Sequence, residues 1–139
     1  MAAISVTAAN VMCKSGATTC TVGTAGEALT AGQVVFLHTD AKYYALSATS
    51  DGSMSGKTVG INMGIVDAVD EKCLVITQNG AEIDLGATVT EGTWYVAGGA
   101  DGVLEEFSDL TATENVTFIG YGSPDSHLLL EITTNGDVK

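Results

Sequence analysis

Gly26-Glu27-Ala28-Leu29-Thr30-Ala31-Gly32 runs straight into Gln33-Val34-Val35-Phe36-Leu37. Sixty residues later Gly86-Ala87-Thr88-Val89-Thr90-Glu91-Gly92 runs into Thr93-Trp94-Tyr95-Val96. Both stretches place a glycine, a branched apolar residue, Thr and Gly at one spacing before a short apolar run. A turn that closes on glycine and feeds a run of four or five β-formers leaves little room for helix. The chain holds 17 Gly and one Pro, and Ala, Thr and Val dominate the rest. Short strands joined by many tight turns follow from that composition. The fold class expected is all-β. A single, mostly antiparallel β-barrel or sandwich, built from two related turn-strand halves, would bury one core.

The remaining stretches fit that scheme. Ile4, Val6 and Ala8 alternate with Ser5 and Thr7, so residues 1–25 read as an N-terminal arm or edge strand, with 26–139 as one β domain. Tyr43-Tyr44-Ala45-Leu46 is a short strand. Val59, Ile61, Met63 and Ile65 face one way, and Gly60, Asn62 and Gly64 the other, where a bulge or close backbone approach is expected. Residues 72–85 read as a hairpin about Asn79-Gly80, the dipeptide of a type I′ turn. That register pairs Ile76 with Ile83 and Leu74 with Leu85 on a buried face. It leaves Val75, Thr77, Glu82, Asp84 and Cys73 on a wetter one. Residues 108–115 suit one helical turn capped by Ser108, followed by strands at 116–121 and 127–133. Ile132-Thr133-Thr134-Asn135-Gly136 echoes Ile76-Thr77-Gln78-Asn79-Gly80, closing each half on an Asn-Gly turn.

Charge narrows the partners. Seventeen acids face five lysines, no arginine is present, and the net charge is −12. Phosphate contacts and base readout lean on Lys and Arg, so nucleic acid is excluded as a partner. An anionic membrane surface is disfavoured for the same reason. The start, Met1 to Val6, lacks a basic region and a long apolar core, so synthesis in the cytoplasm is expected. Three cysteines make no closed framework. Cys13 and Cys20 lie near each other, and free thiols are expected in a reducing compartment.

Catalytic motifs are missing. No Gly-x-Ser-x-Gly, Ser-x-x-Lys, phosphate loop or dinucleotide fingerprint occurs. No catalytic residue, cofactor or metal ligand is therefore expected. His38 and His127 each flank an apolar strand and read as strand-end packing. Asp67, Asp70, Glu71, Glu105 and Glu106 lack the spacing of a calcium loop. Tyr43, Tyr44, Trp94, Tyr95 and Tyr121 read as core and rim, or as a sugar-stacking platform.

Several of these stretches resemble the small decoration, or cement, proteins of tailed bacteriophage heads. They are Ile4-Ser5-Val6-Thr7-Ala8-Ala9-Asn10-Val11, Gly23-Thr24-Ala25-Gly26 with Thr30-Ala31-Gly32-Gln33-Val34-Val35, and Val59-Gly60-Ile61. Ile83 to Thr90, Gly92-Thr93-Trp94-Tyr95-Val96, Ile119-Gly120-Tyr121 and Leu128-Leu129-Leu130 extend the likeness over nearly the whole chain. The resemblance implies a β-rich virion protein on the outer surface of the capsid, bound to the major capsid protein and often trimeric. It carries over no catalytic residues. The Cys13/Cys20 segment, the Phe36-Leu37-His38 end and the acidity depart from the usual pattern. The arm supplies the expected capsid or subunit contacts, Ile4, Val6, Asn10 and Val11. Two other classes stand beside this one. A carbohydrate-binding or fibre module would group Trp94 and Tyr95 with further exposed aromatics. An enzyme would join His38 or His127 to a carboxylate in a pocket.

Overall fold

The computed structural model describes residues 3–15, 20–87, 89–111 and 113–134. Among them are eleven strands and two short 3-10 turns, Ala8–Asn10 and Phe107–Asp109, with no α-helix. One sheet holds β1 (Met12–Ser15), β7 (Glu82–Asp84), β8 (Trp94–Ala97), β9 (Leu104–Glu106), β10 (Phe118–Gly122) and β11 (Leu128–Thr133). The other holds β2 (Thr21–Thr24), β3 (Val34–Leu37), β4 (Tyr43–Ala45), β5 (Val59–Asn62) and β6 (Lys72–Ile76). All named strand pairs are antiparallel. The sheets do not close into a barrel; they face each other as a sandwich. Val34, Phe36, Val59, Ile61 and Ile76 of the smaller sheet pack against Ile83, Tyr95, Ala97, Leu104, Ile119 and Leu128 of the larger. Each large side chain buried there contributes roughly 1.5–3 kcal/mol.

The two sheets repeat one plan. The larger runs β1-β7-β11-β10-β8-β9 and the smaller β2-β6-β5-β3-β4, so beyond β1 the order is the same. The turn before each central strand also repeats. Gln33 N donates to Thr30 O, and Thr93 N to Thr90 O. Gly32 and Gly92 sit third in these turns with φ of 89° and 77°, the geometry of type II. Each turn then locks onto the strand beside it. Gly32 N donates to Asn62 O and Asn62 N to Gln33 O; Gly92 N donates to Gly122 O and Gly122 N to Thr93 O. The same glycine recurs in that neighbouring strand. A Cβ on Gly60 would lie 2.6 Å from Ile76 O, and one on Gly120 would overlap Leu129 O. Close backbone approach is therefore what excludes a side chain at both positions.

One sequence expectation fails at Asn79-Gly80. β6 and β7 do not pair; they belong to different sheets, and the dipeptide carries the chain from one to the other. Gly80 has φ of 90°, while Asn79 is not among the residues with positive φ. A type I′ turn requires positive φ at both, so this is a type II turn, whose twist splays the flanking strands. Tertiary bonds hold it: Gly80 N donates to Leu130 O, and Asn79 Oδ1 accepts from Ile132 N. The faces of β6 change accordingly. Ile76 and Ile83 are buried as expected, but Leu74 is 44% exposed, and Val75 and Cys73 are buried. Cys73 lies in a second cluster with Ala25, Leu29, Val35, Tyr43, Val66 and Val75 on the outer side of the smaller sheet.

Smaller differences have local causes. Alternation from Val59 holds to Met63 and then breaks, leaving Ile65 exposed and Val66 buried, because Val66 exchanges backbone bonds with Leu29. The expected helical turn is a 3-10 turn at Phe107–Asp109 with no side-chain cap, so Ser108 does not start it. The Asn135-Gly136 echo lies outside the described residues. Within the arm, Met12–Ser15 and Thr21–Thr24 form edge strands of the two sheets.

Burial pushes the Cys73 thiol above its ordinary range, and the thiolate is the reactive form. In native buffer an aromatic disulfide reagent is expected to label exposed Cys20 and to spare Cys73 until denaturant is added. Equal labelling rates for the two in the native state would contradict the burial of Cys73.

Candidate functional site

The outer face of the larger sheet carries an apolar groove built around a half-exposed tryptophan. Strand alternation turns Trp94 and Val96 of β8 outwards, and pairing sets Trp94 beside Tyr121 and Val96 beside Phe118. Phe118 pairs on its other side with Thr133 of β11. The chain after β9 then folds over part of this face. Leu110 and Val116 cover Val96, and Phe107 packs on Phe118. Trp94 is left 41% exposed. Its ring centroid lies 5.7 Å from Phe118, edge on, and 5.0 Å from Tyr121; Phe107 and Phe118 are 5.1 Å apart. Trp94, Phe107, Phe118 and Thr133 line a groove of about 350 Å³.

Trp94 and Tyr121 were legible as aromatics, but Phe107 and Phe118 were not expected here. The available signal is the register: Trp94 stands at the start of its strand and Tyr121 near the end of its antiparallel neighbour. Tyr95 and Tyr43 are buried and take no part. Tyr44 lies elsewhere, beside His38.

A polar cluster borders the same sheet. His127 Nδ1 is 2.6 Å from Glu82 Oε2, and its Nε2 is 3.8 Å from Asp84 Oδ2. Ser123 Oγ donates to Glu82 Oε2 and accepts the backbone N–H groups of Asp125 and His127. The hydroxyl thus meets the carboxylate, and no hydroxyl–imidazole pair of the kind that activates a nucleophile is formed. The cluster ties the β10–β11 turn to β7.

His38 lines a separate cleft of about 460 Å³ with Glu27, Phe36, Tyr44 and Asp51. This is the pairing of histidine and carboxylate that an enzyme would need. Two of the cleft's three carboxylates accept backbone donors, Glu27 from Ala45 N and Asp51 from Ser47 N, and Asp101 also lines the cleft. The imidazole packs edge-on against Phe36 and Tyr44. Tyr44 donates to Asp40 at 2.5 Å. That bond lifts the Tyr44 phenol above its ordinary range and holds Asp40 below the usual carboxylate range. Glu71 and Asp70 are engaged in the same manner: Glu71 accepts from Asp67 N and Ala68 N, and Asp70 pairs with Lys42. No group of three potential metal ligands occurs among the described residues.

The arm residues are partly used by the body itself. Ile4, Val6 and Val11 are half-buried against the central core, and Ile4 N donates to Leu104 O. Val6 covers the Gly32 turn, where an added Cβ would lie 2.5 Å from Val6 Cγ1. Asn10 is exposed at the end of the first 3-10 turn. No family model, curated protein or solved structure matches this chain.

Proposed function

We propose that this protein is a structural, binding-only component of a phage head. It attaches as a trimer to the outside of an assembled capsid, bridges neighbouring copies of the major capsid protein, and performs no chemistry. The observation that carries this reading is the aromatic face of β8 and β10. It is partly exposed, on a body in which His127 pairs with Glu82, and Glu27 and Asp51 accept backbone N–H groups. Large exposed apolar patches mark interaction sites. The resemblance of the turn-strand motifs to head decoration proteins points the same way.

The physics is lateral bridging. A module that binds only the assembled lattice stabilises it by mass action. Repeated over a shell, the effect is multiplied. At a net charge of −12, free copies repel each other, while a less acidic shell surface would steer docking.

Carbohydrate binding is the second reading, and the Trp94–Tyr121 pair favours it. Against it, the two rings are tilted by 52° and form no single flat platform. Among the described residues, Thr133 is the one polar side chain lining the groove beside the aromatic rings. A sugar needs several placed hydrogen-bonding groups as well as a stacking surface.

Adding the purified protein to heads assembled without it tests the proposal. Bound copies should saturate, and the temperature at which the heads release DNA should rise. Absence of saturable binding to mature heads would overturn it.

A further inference from the structure

The two sheets stack the same way up, and this leaves one face without its counterpart. In the smaller sheet Val34 pairs with Ile61 and Val35 with Gly60; sixty residues on, Trp94 pairs with Tyr121 and Tyr95 with Gly120. Trp94 and Tyr121 therefore occupy the positions of Val34 and Ile61. Yet Val34 and Ile61 fill the core between the sheets, while Trp94 lies on the outside. Conversely Tyr95 fills that core, and Val35 belongs to the outer cluster. The face that the first unit buries against the second is the face the second unit leaves partly exposed at Trp94, beyond the cover of Leu110 and Val116.

We propose that this face, centred on Trp94, Phe118 and Tyr121, docks a partner protein that presents an apolar side chain ringed by lysine and arginine. This rests on the reading of the chain as a shell-binding protein and names the surface that binding uses. Charge selects the partner. Residues 82–134 contain ten acids and neither lysine nor arginine, whereas residues 21–76 contain six acids and three lysines. Glu131 projects from the same face between Leu129 and Thr133, and Asp109 lies two residues after Phe107. A basic rim would pair with these carboxylates, and an arginine could also lie over Trp94. A groove of about 350 Å³ is at the small end of ligand sites, roughly 300–1,000 Å³, and suits an inserted side chain.

A second copy fits poorly. Face-to-face pairing would oppose two units of ten acids each. Head-to-tail continuation needs the outer face of the smaller sheet, which Ala25, Leu29 and Val66 cover.

The test uses Trp94→Ala, Glu131→Lys and, as control, Val22→Ser on the exposed part of β2. Two probes are applied: heads assembled without the protein, and a pair of short peptides, one an arginine-flanked phenylalanine and the other its glutamate-flanked counterpart. Trp94 is the sole tryptophan, so its emission reports occupancy of the face. Expected are at least tenfold weaker head binding by both face variants, unchanged binding by Val22→Ser, and a blue shift with the arginine peptide alone. Face variants that bind heads like wild type would overturn the docking surface. If wild type ignores heads, the head-decoration reading fails, and the peptides still decide the docking chemistry. A shift with the arginine peptide alone upholds that chemistry, and no shift or equal shifts overturn it. Self-association abolished by Trp94→Ala would assign the face to a second copy and overturn the proposed partner.

Discussion

Gly120→Ala is expected to destabilise the protein by at least about 3 kcal/mol. An added Cβ would overlap Leu129 O and lie 2.9 Å from Leu129 C and 3.2 Å from Leu130 Cα. All three are backbone atoms of β11, so no side chain can swing away. Relief requires parting β10 from β11, where Gly120 pairs with Leu130 and Tyr121 with Leu129. Those strands carry Ile119, Leu128 and Leu130 into the central core, so the strain reaches the packing between the sheets. Gly64→Ala is the control. Its φ is not in the left-handed region, and nothing lies within 4 Å of an added Cβ. There alanine should be neutral or stabilise by about 0.4–1 kcal/mol through the unfolded chain. Denaturant midpoints compare the two; if Gly120→Ala does not fold, loss of soluble protein beside a soluble Gly64→Ala gives the same answer. Equal midpoints would show that the approach of β10 to β11 is wrongly placed.

Ile83→Ala is expected to cost about 2–5 kcal/mol. Ile83 has no exposed surface and sits inside the larger sheet, between Cys13 of β1 and Leu128 of β11. Its removal leaves a cavity where the two sheets meet. Glu82→Ala, one residue away on the wetter face, would cost little for a solvated carboxylate. The structure raises that to about 1–2 kcal/mol, because the Glu82 carboxylate accepts from Ser123 and contacts His127. Ile83→Ala should still exceed Glu82→Ala in urea unfolding. The reverse order would contradict the assignment of Ile83 to the core and Glu82 to the outer face.

The contrast between these neighbours shows what a sequence can carry. The Thr-x-Gly turns were legible because positive φ at their third position demands glycine, and that demand is local. The alternation of Val59, Ile61 and Met63 was legible for the same reason. Asn79-Gly80 was not, since the choice between type I′ and type II rests on φ at Asn79. Bonds to Leu130 and Ile132, 50 and 53 residues away from their partners, settle that angle. Once the turn type changes, the faces of Cys73, Leu74 and Val75 follow. The aromatic face depended on a similar distant choice. Trp94 and Val34 share a place in their motifs, and nothing local says that one faces out and the other in. A shift in register between Phe118 and Gly120 helps set which side each aromatic takes. The arm presented small polar residues with a weak alternation. Its side chains rest on a core assembled by the rest of the chain, so their burial could not be read within the segment itself.

A reconstruction of decorated heads at a resolution that traces side chains tests the proposed mode of action most directly. The expected result is density that sets the outer face of β8, β10 and β11 against the shell. Trp94 and Phe118 would then be covered, and basic shell residues would lie near Glu131 and Asp109. A reconstruction in which that face points to solvent, while residues 3–15 make the shell contacts, would contradict it.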